Sequence, residues 1–150
     1  MEEPFVLGRA DAARWVIHPL QDPYGDGYVL TAATELHDDG VRAATTAKIE
    51  GVIANPANTL PAFMNGLATD WRGWEGVRTW HSMESHLVVD ARHDGRGHVS
   101  LRVSLRAPGP SWDDAAWSAS AMLVLEAGEE MTRAAADLTH FLRWERDKDG

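Results

Sequence analysis

The stretch Val99-Ser100-Leu101-Arg102-Val103-Ser104-Leu105-Arg106 decides the fold. Aliphatic and polar residues alternate through it without a break. Side chains along a strand point to opposite faces in turn, so a period of two marks a strand with one face in a core. Upstream, Trp80 to Ala91 carries a second apolar run, and Arg92-His93-Asp94-Gly95-Arg96-Gly97 lies between the two. A two-residue Asp94-Gly95 loop would set Leu87 opposite Arg102 and mix the faces. A loop one residue longer pairs Ala91 with Val99, Val89 with Leu101 and Leu87 with Val103. The sequence therefore predicts a hairpin over 80–107 with a three-residue loop or a glycine bulge. The same register sets Glu84 across from Arg106.

A second hairpin is predicted over 28–49, turning at Asp39-Gly40. It pairs Leu36 with Ala43, Ala32 with Ala47 and Leu30 with Ile49, leaving Thr31, Glu35, Lys48 and Glu50 on the polar face. Phe5–Leu7 and Trp15–Leu20 read as further strands. Trp117 to Leu125 reads as a strand with Met122 and Val124 on its second face, which suggests cover on both sides. Two helices are expected. The first, over 59–72, is capped by Asn58 or Thr59, tolerates Pro61 in its first turn, and turns Leu60, Phe63, Met64, Leu67, Ala68 and Trp71 to the core. The second, over 128–143, opens with Glu129-Glu130 at the positive end of its dipole and buries Met131, Ala134, Ala135, Leu138, Phe141 and Leu142. The polar tail 145–150 is expected to fray. The expected architecture is a single α+β domain: an antiparallel sheet of about six strands with both helices packed on one face.

Composition narrows the function classes. The chain has 150 residues, 14 Lys+Arg against 23 Asp+Glu, no cysteine and a formal net charge of -9. An acidic surface disfavours sequence-independent nucleic-acid binding, which works by neutralising phosphates. Without cysteine there is no disulfide framework, thiolate metal site or cysteine nucleophile. The start Met1-Glu2-Glu3 is acidic where a signal peptide is basic, and no apolar run approaches the ~18–20 residues of a membrane span. The expectation is a cytoplasmic protein.

The run Trp71-Arg-Gly-Trp74, then Trp80-His-Ser, then Gly97-His-Val-Ser-Leu-Arg-Val, then Trp117 with Leu123-Val-Leu-Glu and a closing amphipathic helix resembles an uncharacterised actinobacterial family, a domain of unknown function. More distantly it is similar to the WapI-type immunity proteins, which neutralise polymorphic toxins. The resemblance spans roughly Tyr28 to Leu142 and rests on packing residues and turns. It implies a cytosolic protein that works by binding another protein. It supplies no catalytic motif to carry over.

No catalytic, cofactor-binding or metal-ligating set is expected from the residues themselves. His81, Glu84 and His86 lie close in sequence, but strand alternation puts Glu84 and His86 on one face and His81 on the other. No G-x-S-x-G elbow is present; Ser82, Ser85, Ser100 and Ser104 read as polar strand positions, and His98 and Asp90 near Ser100 form a triad only if geometry brings them together. Gly25-Asp26-Gly27 and Gly95-Arg96-Gly97 read as turns, since neither leads from a strand into a helix.

The candidate partner-binding residues are therefore the acids and aromatics of the loops: Asp22, Asp26, Asp38, Asp39, Asp113 and Asp114, with Trp74, Glu84 and His86. Aspartates suit turns for local hydrogen-bonding reasons, yet an acidic surface also steers a basic partner. Trp74, between glycines, is the tryptophan expected to be most exposed. The reading is a non-enzymatic protein-binding domain, an immunity protein that occludes a toxin effector, its partner a basic toxin domain. Two alternatives stay open. One is a ligand-binding domain or enzyme with a pocket between sheet and helices, lined by Glu84, His86, Arg102 and Arg106. The other is a domain that self-associates through Trp117–Leu125.

Overall fold

The structure, a computed structural model, describes residues 3–8, 12–50, 58–110 and 115–143. Asp113, Asp114 and the tail 145–150 lie outside them. Eight strands and two helices follow in the order β1 (Phe5–Gly8), β2 (Arg14–Ile17), β3 (Leu30–Asp38), β4 (Val41–Glu50), α1 (Leu60–Thr69), β5 (Arg78–His81), β6 (Leu87–His93), β7 (His98–Pro108), β8 (Ala115–Glu126) and α2 (Glu129–Phe141). The expected single sheet of about six strands is instead two antiparallel sheets of four, ordered β1-β2-β3-β4 and β5-β6-β7-β8. The α+β class and both helices are as read from the sequence.

The sheets share one core. Alternate residues of β3 and β4 (Ala32, Leu36, Ala43, Ala47) and of β7 and β8 (Val99, Leu101, Val103, Leu123, Leu125) belong to a single buried cluster with α1 and α2. Strand β3 touches β7 and β8, and β4 touches β7. Alanines at the contact let the backbones approach closely, because a short side chain leaves less to interleave. Where the sheets part, the helices fill the space: α1 lies on α2 and β5, and α2 on β1 and β8. Phe5 meets Phe141 with ring centroids 6.1 Å apart.

Sequence reading missed the second sheet because it took Trp80–Ala91 as one strand. A turn divides that segment. Glu84 and Ser85 adopt positive φ (64° and 56°), Ser85 N–H donates to Ser82 O, and the Ser82 hydroxyl accepts from Leu87 N–H at 3.0 Å. Left-handed backbone costs a non-glycine residue of order 1–2 kcal/mol. No glycine, asparagine or proline marks the spot, so the breaker signal was absent. Glu84 accordingly does not face Arg106; it pairs with Lys48.

The β6–β7 hairpin keeps its faces but shifts its register by two residues: Leu87 pairs with Leu105, Val89 with Val103 and Ala91 with Leu101. Asp94 N–H donates to His98 O, enclosing the three-residue loop Gly95-Arg96-Gly97, with both glycines at positive φ. A two-residue shift preserves side-chain parity, so hydrophobic alternation could not discriminate it. In the β3–β4 hairpin Leu36 pairs with Ala43 and Ala32 with Ala47, as read. A bulge between Leu30 and Thr31 moves Leu30 from Ile49 to Glu50.

The helices are shorter than read. Thr59 caps α1, its hydroxyl accepting from Ala62 N–H at 3.2 Å, and the helix stops at Thr69. Trp71 therefore leaves the core stripe and is 51% exposed. Gly128 gives α2 no side-chain cap. Glu126 takes that role, accepting from Gly128 and Glu130 N–H, while Glu130 Oε1 accepts from Glu126 N–H in return. These amides hold the Glu126 carboxyl below its ordinary range. On β8, Met122 and Val124 are exposed, so that strand is covered on one face only.

Candidate functional site

The expected site residues do not converge. Asp22 Oδ2 accepts from Gly27 N–H at 2.7 Å, Asp26 Oδ1 from Tyr28 N–H at 2.9 Å, and Asp38 Oδ1 from Asp39 N–H at 2.8 Å. Each fastens its own turn. Asp22–Asp26 precede β3 and Asp38–Asp39 stand at its far end, so the length of that nine-residue strand separates them by roughly 26 Å. Asp113 and Asp114 fall outside the described residues. Asp22 has one further feature: its Oδ1 is buried without a partner.

Glu84 and His86 sit at the β5–β6 turn. Glu84 Oε1 accepts from Lys48 Nζ at 2.9 Å, which lowers the Glu84 pKa, and its other oxygen lies 4.0 Å from His86 Nε2. His81 contacts the carbonyl of its neighbour Ser82 instead. No group of three His, Asp or Glu among the described residues is arranged to hold a metal ion. The Ser100–His98–Asp90 combination does not assemble either: His98 faces Asp94, and Asp90 accepts from the Thr79 hydroxyl at 2.6 Å.

Trp74, expected to be exposed, packs against the core with its Nε1 buried and unpartnered. The Arg78 guanidinium lies 4.7 Å from its ring centroid, and the His93 ring meets it edge-on at 5.4 Å. His93 Nε2–H donates to Trp71 O at 2.9 Å while Nδ1 accepts from Gly95 N–H. Together these contacts tie the post-helix segment to the β6–β7 loop, a structural task.

Glu35 centres a cluster of charged and basic side chains on the outward face of the first sheet. Its side chain is 14% exposed and contacts His18 Nε2, His37 Nε2 and Arg42 Nη2. The hydrogen bond from His18, and then Arg42, hold its pKa below the ordinary range against the opposing effect of burial.

A cleft of about 450 Å3 lies elsewhere, between β1, β8 and α2. Residues 6–8 of β1 and 122–125 of β8 line it consecutively. Successive strand residues point to opposite faces, so only a cavity running along a strand edge touches all of them. Both strands are sheet edges, and their unpaired peptide groups border the cleft. Exposed Val6, Met122 and Val124 line it, and Glu130, Arg133 and Asp137 of α2 give it a charged rim of both signs.

A family model for a family of unknown function, DUF6228, matches residues 10–145. The chain belongs to the DUF6228 family. No curated protein and no solved structure matches it. The match runs from just before β2 through the whole of α2, so β1, which walls the cleft of this DUF6228 chain, precedes the matched segment.

Sequence reading missed the cleft. Its one signal was the apolar pair Met122 and Val124 on the face of β8 opposite buried Ala121, Leu123 and Leu125; Trp117, expected on the core face, is exposed. Glu84, His86 and Arg106, expected to line a sheet–helix pocket, do not line it, nor does Arg102. Among the described residues no helix is long and apolar enough to cross a membrane.

Proposed function

We propose that this DUF6228 chain is a non-enzymatic protein-binding domain, and that its partner docks in the cleft between β1 and β8. One observation carries the reading: the cleft is walled by two unpaired sheet edges and fringed by exposed aliphatic side chains. Free peptide groups recognise another backbone, as in strand addition, and flanking apolar groups supply the desolvated contact. The finer reading is an immunity protein that blocks a toxin effector by occlusion, in the cytoplasm of an actinobacterium. It rests on the resemblance read from the sequence and on the net charge of -9, which suits a basic partner.

Co-expression with the toxin encoded beside it tests this, read by survival and by co-purification of the pair. Val124→Arg adds bulk and positive charge in the cleft at an exposed position, so it should abolish the complex without changing the thermal midpoint. No rescue and no complex with the native chain would sink the immunity reading. An undiminished complex with Val124→Arg would remove the cleft from it.

A second reading has its own support. A cleft of 450 Å3 falls in the size range of small-molecule pockets. Native mass spectrometry of the freshly purified chain would favour it on finding a retained ligand that Val124→Arg releases.

A further inference from the structure

The outward face of the second sheet carries a smaller cavity of about 170 Å3, lined by Val77, Asp90, Arg92, Ser100, Arg102 and Met122. Register explains the grouping. Arg92 pairs with Ser100 and Asp90 with Arg102, so the two arginines are diagonal neighbours, about 7–8 Å apart along the ladder, with Ser100 between. Their faces are fixed by Ala91, Val99 and Leu101, which are fully buried on the other side.

Both guanidiniums are exposed, and neither makes an ion pair or hydrogen bond among the described residues. Among the described residues Arg42 pairs with Glu35, Lys48 with Glu84, Arg78 with Asp70 and Arg133 with Glu129, while Arg72, Arg96 and Arg106 also stand without an ion pair; what sets Arg92 and Arg102 apart is that they are neighbours at one cavity. The one carboxylate in the cavity, Asp90, is drawn aside by the Thr79 hydroxyl. An acidic protein thus leaves two adjacent arginines uncompensated where a cavity and a hydroxyl meet them.

We infer that this cavity is a binding site for a small oxyanion, the phosphate or carboxylate group of a metabolite. Arg92 and Arg102 supply forked N–H donors, which match the geometry of either group. Ser100 Oγ–H adds a third donor. Val77 and Met122 supply its apolar walls. Asp90 opposes the ligand's charge and favours a singly charged group over a dianion. The inference does not depend on the protein-binding reading.

Titration of the purified full chain with inorganic phosphate and, separately, with acetate tests the site, read by calorimetry and by the Ser100 amide resonance. Saturable binding of either anion with a shift at Ser100 is expected; the anion that binds tells a phosphoryl from a carboxylate ligand. Arg92→Gln and Arg102→Gln should each weaken it about tenfold or more, as loss of a charge-assisted pair implies. Asp90→Asn should tighten it. Arg106→Gln, on the same face of β7 but outside the cavity, should leave it unchanged. Absence of binding by both anions would overturn the inference. So would an equal loss from Arg106→Gln, because that is the signature of a diffuse charged surface.

Discussion

Trp15 Nε1–H donates to Thr34 Oγ1 at 2.9 Å, and the Thr34 hydroxyl donates onward to the Val16 carbonyl. Both side chains are completely buried. A buried indole N–H without a partner forfeits its hydration, so this pair lets a tryptophan sit in the core of the first sheet. Thr34→Val keeps the shape and removes the acceptor. It should destabilise the protein by about 1–3 kcal/mol, measured by urea unfolding. A midpoint equal to the native one would show that the bond contributes nothing.

Gly8 is fixed by both conformation and space. Its φ is +107°, and an added Cβ would lie 2.2 Å from the Ala13 carbonyl oxygen. Gly8→Ala should cost at least about 2 kcal/mol, since strain and a backbone clash coincide. Calorimetry showing an unshifted thermal midpoint would contradict this geometry.

Ser85 offers the opposite change. It holds φ 56° with no hydrogen bond from its hydroxyl among the described residues. Ser85→Gly should relieve the left-handed strain and, after the entropy cost of glycine in the unfolded chain, raise stability by up to about 1 kcal/mol. A clear loss of stability would mean that the turn is not the origin of the β5–β6 break.

Glu35 makes stability depend on pH. Its native pKa is lowered by His18 and Arg42, so the unfolded chain binds a proton more readily. The stabilisation is full above the unfolded value of about 4.3 and is lost as pH falls through the lower native value. Glu35→Gln lacks this term. The gap in stability between native protein and variant should therefore be widest near neutrality and close in acid. A gap that stays constant from pH 7 to pH 3 would be incompatible with the contacts at Glu35.

Thr59→Ala removes the side-chain cap of α1 that Ala62 N–H bonds to, and should cost about 1 kcal/mol. Loss of helical circular dichroism ahead of the global transition would localise the effect.

Local signals were enough to place much of this fold. The alternation through Val99–Arg106, the Asp39-Gly40 turn, the Thr59 cap and the apolar stripe of α2 each depend on neighbours in sequence, and each is where it was read. The break at Glu84–Ser85 was not legible, because those residues enter left-handed backbone without glycine and are held there by Ser82 and by Lys48 from another sheet. The candidate site fared worse for the same reason. Asp22, Asp26 and Asp38 are recognisable as turn residues, and turn chemistry is what they do. The cleft between β1 and β8 joins residues more than a hundred positions apart, and no periodicity links them.

By itself, then, the sequence determined the class of most elements, the buried faces of β3, β4, β6 and β7 and the acidity of the chain, because alternation, capping and charge are properties of neighbouring residues. Only the tertiary structure decided that the strands divide into two sheets, that their edges leave a cleft over α2, and that Arg92 and Arg102 meet over Ser100 without a counter-ion. Those relationships depend on strand pairing between distant segments, and a shift of two residues, invisible to hydrophobic alternation, changes which polar side chains stand together.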